Sequence, residues 1–407
     1  MLAEYWRFAL AHPRFIGFGF LMAFLSSAGQ TYFIGVFGAQ IQSDFGLDAG
    51  SWGRIYMFGT LLSALVINWS GSLIDRMDLR IFASLSLFGL SLACLTMGLV
   101  NSTAVLIVAI FMLRQFGQGL TSHAGITSMA RYHSANRGKA IALAAIGYAV
   151  GEASLPVLGV FASQAWGWRH TFFIVAAMVL VSMLLMLWLL RGHSQRHASH
   201  SAELAADSTA VGAQLSYTRR QALGEKRFYY MLPAMIAPSL IGTAMFFFPA
   251  EIARAKQWSS LWVTAHYGLY SFFSVAVTIY SGVLIDRFSA RRVVPYFLLP
   301  LALALIVINL SDHRFLVWPF MILMGVTSGL YFTGLSALWA ELYGPRYLGA
   351  IKSLTNAIMV FSSALGPALV GTLLGWQVSF VVITLLLCGF CVFATLMLVH
   401  ALRIPSS

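Results

Sequence analysis

GSLIDRMDLR, Gly71 to Arg80, puts four charges into ten residues of a chain in which 9% of residues are charged. GVLIDRFSAR, Gly282 to Arg291, repeats it: Gly71, Leu73, Ile74, Asp75, Arg76 and Arg80 return as Gly282, Leu284, Ile285, Asp286, Arg287 and Arg291, each 211 residues on. The same shift carries Gly138 to Gly349 and Pro156 to Pro367. A constant offset through separate features marks two structural copies within one chain.

The surroundings of both copies are apolar. Of 407 residues 59% are hydrophobic, well above the ~45–50% of soluble domains, and the mean hydropathy is +0.81. The charge is basic, 25 Lys and Arg against 13 Asp and Glu. The positive residues lie between apolar runs too long for a soluble core, so they orient a chain in a bilayer and do not form a nucleic-acid surface. Cys94, Cys388 and Cys391 fall inside apolar runs and make no disulfide framework. The first such run, from about 15 to 37, is too long for a signal peptide and stays as a helix.

Punctuation by charged and turn-forming residues predicts twelve spans, near 15–38, 52–74, 81–100, 104–130, 139–163, 170–190, 228–252, 261–285, 293–310, 315–342, 349–374 and 378–402. Lipid satisfies no backbone polar group, and strict alternation is absent, so the spans are helices and not barrel strands. The expected class is therefore an all-α membrane protein of two pseudo-symmetric six-helix bundles: 1–190, a cytoplasmic linker at 191–227, and 228–407. With the termini cytoplasmic, 19 of the 25 cations fall on that side, the other six being Arg54, Arg114, Arg169, Arg254, Lys256 and Arg314; this bias sets the orientation. In a bacterium the location would be the inner membrane. His193, His197 and His200 sit in a Ser- and Ala-rich linker with no acidic partner at ligand spacing, so no metal is expected there.

GSLIDRMDLR resembles G-x-L-x-D-R-x-G-R-R, the motif between the second and third helices of the major facilitator superfamily, with Asp78 where glycine is usual and Leu79 where a basic residue is common. RQFGQG, Arg114 to Gly119, resembles the fourth-helix R-x-x-x-G pattern shifted by a residue. NRGKA, Asn136 to Ala140, and WGWRHTF, Trp166 to Phe172, resemble the superfamily's 4–5 loop and its entry into helix six. The chain is identified by these matches as a member over essentially its whole length, close to the bacterial organic-anion, monocarboxylate-type branch. The resemblance implies alternating access to a site between the repeats near the midplane. It also implies a cytoplasmic latch, with Asp75 and Asp286 pairing with nearby arginines and with helix ends of the opposite half, helices 11 and 5. Gating is expected of Gly71, Asp75, Arg76, Arg80, Gly282, Asp286, Arg287 and Arg291.

Ionisable groups at bilayer depth are costly and mark function. Arg114 in helix 4 and Glu152 in helix 5 lie at depths differing by about 5 Å, within reach of pairing. Arg114 is expected to bind an anionic group and Glu152 to carry a coupling proton; the alternative is a permanent bridge between helices 4 and 5. Gln118 lies one turn from Arg114, and Tyr148 one turn from Glu152. Ser26 and Gln30 in helix 1, Thr243 in helix 7, Tyr270 in helix 8 and Tyr331 in helix 10 complete the expected substrate pocket. Arg114 maps to Gly325 under the repeat shift, so recognition of charge is expected to be an affair of the first half. Helix 5, GYAVGEASLPVLG, and helix 11, SALGPALVG, resemble the antiporter signature G-x-x-x-G-P-x-x-G, with Leu155 replacing a glycine, and suggest a hinge.

The function expected is proton-coupled symport or exchange of a small organic anion by a monomer. A proton-driven efflux antiporter for amphipathic drugs or metabolites is the alternative. No cofactor is expected, and neither HExxH, a G-x-S-x-G elbow, paired carboxylates nor a phosphate-cradling loop points to an enzyme.

Overall fold

A computed structural model describes residues 2–133, 136–193, 219–344 and 348–404. Among them every regular element is helical. Eleven helices are long and apolar enough to cross a bilayer, or twelve with the pair bent by 100°, Glu4–Ala11 and Pro13–Gly29. We number the crossings as spans. Span 1 begins at Pro13, and spans 2 to 6 are Ala49–Asp75, Leu79–Leu99, Thr103–Tyr132, Arg137–Trp166 and Trp168–Leu189. Spans 7 to 12 are Lys226–Phe247, Ser260–Phe288, Ala290–Val307, Arg314–Tyr343, Leu354–Gly375 and Phe380–Arg403. This is the all-α, two-repeat membrane fold that the sequence predicts. Most of the linker, 194–218, lies outside the described residues, and with it His197 and His200. His193 is buried and stacks on Phe15, with ring centroids 6.3 Å apart.

Span 1 departs from the unbroken helix expected over 15–38. An α-helix over Pro13–Leu25 tightens to a 3-10 turn over Ser26–Gly29, and Gln30 is extended at φ −85°, ψ 153° before helix resumes at Thr31. The run Ser26, Ser27, Ala28, Gly29 offers small polar side chains that compete for backbone bonds, and a glycine that weakens the ladder. Upstream, His12 precedes a proline and is driven out of the helical region, to φ −130°, which separates the helix Leu2–Ala11 from span 1.

Backbone proximity divides the chain into two units, Met1–Phe37 with Phe58–Gly212, and Gly38–Met57 with Ala213–Ser407. In the first, glycines bring helices into backbone contact. A Cβ on Gly147 would lie 2.2 Å from the Phe20 carbonyl oxygen, and one on Gly151 would lie 2.1 Å from Ser27 Oγ. The spaced glycines of span 5 thus seat span 1, and the span runs as a single helix through Pro156. In the second unit, a Cβ on Gly325 or Gly329 of span 10 would lie 2.5 or 2.7 Å from the Tyr270 or Ser274 carbonyl oxygen of span 8, and one on Gly366 of span 11 would lie 2.2 Å from the Leu240 carbonyl oxygen of span 7. Side chains there would force the helices apart, which is why small residues occupy these seams.

Residues 38–57, placed in the first bundle by chain order, pack within the second unit. Trp52 stacks on Phe247 at 5.1 Å, and the Tyr56 ring lies 4.4 Å from the same phenylalanine. Between them a Cβ on Gly53 would lie 2.2 Å from the Pro367 carbonyl oxygen. The six cations that the sequence reading leaves off the expected cytoplasmic side are all engaged. Arg54 donates to Ser51 Oγ at 2.9 Å, Arg169 to the Val100 carbonyl at 3.0 Å, Arg254 to Glu251 at 2.7 Å and Lys256 to Asp312 at 3.2 Å. Arg314 lies over Trp262 at 5.1 Å, and Arg114 of span 4 donates to span 1, as described next.

Candidate functional site

The break in span 1 decides where Arg114 goes. With Gln30 extended, the Phe33 and Ile34 N–H groups both donate to the Gln30 carbonyl at 3.1 Å, so the Gly29 carbonyl loses its helical donor. Arg114 Nη1 donates to that carbonyl at 3.2 Å and to Thr31 Oγ1 at 3.4 Å. The guanidinium therefore spans the gap between the two helical pieces of span 1. Arg114 is 1% exposed, below the surface of any cavity.

Span 4 is irregular at the same level. Residues Leu113–Thr121 form a π-helix, closed by the Ser122 N–H reaching the Gly117 carbonyl five residues back. Such wide turns are rare and concentrate at functional sites. The wide turn also resolves the register. In span 10 the residues facing span 8 are Gly325 and Gly329, but in span 4 the corresponding face, toward span 2, is taken one residue later. Gln115 bridges Ser63 at 3.1 Å and Ser70 at 2.7 Å, and a Cβ on Gly119 would meet Ile67 at 2.8 Å. The extra residue turns Arg114 away from span 2 onto span 1. The motif resemblance, one residue out of register, is the sequence trace of that turn.

Gly29 and Gly117 close the junction, each Cβ falling within 2.7 Å of the other residue's Cα, and a Cβ on Gly29 would also lie 2.8 Å from the Gln118 amide nitrogen. Gln30 and Gln118, both half-buried, thus flank one backbone crossing, and no side-chain hydrogen bond to either is formed among the described residues. Tyr148 bonds Ser122 and reaches Ser26, joining spans 5, 4 and 1 by hydroxyls. Ser26, fully buried, also donates to the Ala23 carbonyl at 2.7 Å. Glu152 is half-buried in span 5, one residue after the glycine that touches Ser27. The structure brings Gln30, Ser26, Arg114, Gln118 and Tyr148 around the span 1 break.

In the second unit the expected residues are more dispersed. Tyr331 is buried and spends its hydroxyl on the Met235 carbonyl at 2.8 Å, with Ser239 at 3.4 Å, tying span 10 to span 7. Tyr270 donates to Ser328 at 3.1 Å. Thr243 is half-buried in span 7. His266 has both ring nitrogens occupied, Nδ1 against the Trp262 carbonyl at 2.6 Å and Nε2 against the Trp318 indole N–H at 2.8 Å.

The two charged loops have diverged in use. Asp75 bonds Arg131 at the end of span 4, whose other nitrogen donates to the Ile74 carbonyl at 3.1 Å. Asp78, where the superfamily has glycine, is the N-cap of span 3, accepting from the Arg80 N–H at 2.7 Å and from its guanidinium at 3.3 Å. Ser289 occupies the equivalent place in the second loop, at φ 72°, and makes no cap. There Glu341 of span 10 accepts from the Ala290 and Arg291 N–H groups at 2.6 and 3.2 Å. Asp286 is exposed, and Arg287 lies over Phe288 at 5.3 Å. Gly71 is buried below His123, Gly282 opens to free space, and Arg76 is exposed. Sequence reading passed over Arg131, Glu341, Gln115 and Thr31; the first two carried only a charge at a span end as signal.

Burial raises the Asp78 carboxyl, but the Arg80 hydrogen bonds outweigh it and hold the group below its ordinary value. Asp78→Ala is expected to cost about 1 kcal/mol through loss of the cap. A group lowered on folding stabilises above its unfolded pKa, and that contribution is lost as pH falls through the folded value. The melting difference between wild type and Asp78→Ala should therefore be full at neutral pH and shrink in acid. A difference independent of pH would mean that the charge contributes nothing.

The sequence profile described as Major Facilitator Superfamily matches residues 19–265 and 234–406. The chain belongs to the major facilitator superfamily. Solved members similar in fold include the nucleoside transporter NupG, at 13% identity and TM-score 0.73, covering 96% of this chain and 100% of that one. A mutant form of the same transporter gives 10% identity, TM-score 0.75 and coverage of 95% and 99%. An inward-facing, unoccupied bacterial homologue of the human lysosomal transporter Spinster gives 15%, 0.68, 96% and 94%. No curated protein matches the sequence. This superfamily chain thus shares the fold of transporters with small-molecule substrates, and its spans embed it in a membrane.

Proposed function

We propose that this protein is a secondary transporter working by alternating access, and that it carries a small organic anion by proton symport or exchange. The observation that carries the reading is the meeting of a broken span 1 with the π-turn of span 4. Interrupted helices at membrane depth expose backbone groups where a solute can be bound, and they are tolerated where they line a cavity. Gln30 and Gln118 are the direct contacts: both are half-buried, and no side-chain hydrogen bond to either forms among the described residues. Arg114, behind them, supplies fixed positive charge that favours an anion. Glu152 is the proton carrier, while Ser26 and Tyr148 orient the site. Thr243, Tyr270 and Tyr331 are the substrate contacts proposed within the second unit. The charged loops gate the cytoplasmic face, with Asp286 the carboxylate left available for a partner that forms and breaks. Both termini are cytoplasmic, and in a bacterium the membrane is the inner one.

A second reading is favoured by the accessibility of Glu152 relative to Arg114. A half-buried carboxylate in the same unit as a fully buried arginine suits proton-driven efflux of cationic amphiphiles. Flux into proteoliposomes separates the two. Under an imposed proton gradient, anion uptake is expected, collapsing when a protonophore is added. Glu152→Gln should retain anion exchange and lose the response to the gradient. Gradient-driven movement of cations but not anions would replace the first reading with the second.

A further inference from the structure

The helix Leu2–Ala11 plays no part in the transport site. Its axis departs from span 1 by 100°, so with span 1 crossing the bilayer it lies nearly parallel to the membrane plane. Three faces have three different fates. Phe8 points into the unit, its ring 5.1 Å from both His12 and His133. Glu4 pairs with Lys139 at the start of span 5, at 3.3 Å. Trp6 and Leu10, one turn apart and so on one face, are 68% and 62% exposed. Arg7 lies beside that face, and Arg14, just past the bend, sits over Trp188 at 5.4 Å, itself an exposed tryptophan at the end of span 6.

We infer that this helix is an interfacial anchor seated in the headgroup layer of the protein's own bilayer, with Trp6 and Leu10 in the acyl boundary and Arg7 and Arg14 on anionic phosphates. A helix with an apolar face, an adjacent basic rim and an aromatic at its centre has the composition of an element lying in the interface. The bilayer is the occupant indicated by position. The helix leaves a spanning helix at its end, and the Arg14 and Trp188 pair marks the same level with the residue types that collect there. The ion pair to Lys139 and the Phe8 contacts hold it to spans 5 and 4, so lipid contact at the N-terminus restrains the helices that carry Glu152 and Arg114. The inference does not depend on what is transported.

The test uses the full chain in vesicles, with Cys94, Cys388 and Cys391 changed to alanine and a nitroxide placed by Trp6→Cys, Leu10→Cys, Glu4→Cys or Arg7→Cys in turn. In phosphatidylethanolamine and phosphatidylglycerol vesicles, labels at 6 and 10 should collide more with oxygen than with a water-soluble nickel chelate, and labels at 4 and 7 the reverse. Adding Arg7→Glu and Arg14→Glu should raise the nickel accessibility of the label at 6 severalfold in those vesicles and leave it unchanged in phosphatidylcholine. If labels at 6 and 10 meet nickel as freely as those at 4 and 7, the face is in water and the inference fails. Shielding from both reagents would mean that protein, a second copy included, covers the face, and would also overturn it. Because the readout is collisional and not flux, failure here leaves the transport reading untouched.

Discussion

Replacing Arg114 with alanine is expected to lower flux about 100-fold, which corresponds to roughly 3 kcal/mol, and to lower the melting temperature by several degrees. The substitution removes the donor that the Gly29 carbonyl acquired when Gln30 left the helix, at 3.2 Å, together with the bond to Thr31 at 3.4 Å. A buried polar group stripped of its partner costs about 1–3 kcal/mol. No neighbour can replace the donor, since the Phe33 N–H is committed to Gln30. Arg114→Lys separates charge from geometry. A lysine restores a positive point charge but cannot bridge two acceptors on either side of a break with a fixed planar fork. It should recover part of the melting temperature and little of the flux. Wild-type flux in Arg114→Ala would end the claim that this residue matters to transport, and full recovery by lysine would reduce its role to that of a charge.

The membrane class and the doubling were legible because they are written in period and composition: long apolar runs, and a loop motif recurring at 211 residues. The local breaks in the spans were less legible. Nothing in FLSSAGQTYF distinguishes a helix that packs with small residues from one that opens at Gln30, because serine and glycine serve both ends. The choice is made by a neighbour, the glycine-rich π-turn of span 4, with Gly117 lying against Gly29. That turn was visible only as a motif one residue out of register. Tyr331 shows the converse limit. A tyrosine at pocket depth reads as a ligand contact, yet its hydroxyl is spent on the Met235 carbonyl of a proline-containing helix. Asp78 reads as a departure from a family pattern, while in the folded chain it caps span 3.

Gly53→Ala should depopulate the packed arrangement of residues 38–57 while leaving the helices themselves intact. The added methyl would lie 2.2 Å from the Pro367 carbonyl oxygen, 2.7 Å from its carbon and 3.0 Å from the Ala368 Cα, so all three neighbours are backbone and none can rotate aside. Relief requires span 2 and span 11 to separate at this level, which also unstacks Trp52 from Phe247, now 5.1 Å apart. Overpacking of this kind costs about 1–3 kcal/mol or more, and a bias of ~3 kcal/mol moves a two-state equilibrium about 150-fold. If the proposed alternating-access cycle passes through this arrangement, the carrier then stalls, so flux should fall at least tenfold while the melting temperature changes little. Spin labels at Ser43→Cys and Gln377→Cys, which line the same cavity of about 640 Å³, report the separation directly. The wild-type distance distribution should be dominated by a short component that Gly53→Ala converts to a longer one. Gly242→Ala is the control, since a Cβ there meets nothing within 4 Å, and it should alter neither flux nor distance. A short distance and normal flux in Gly53→Ala would show that the contact yields locally and that closure at Pro367 does not govern the cycle.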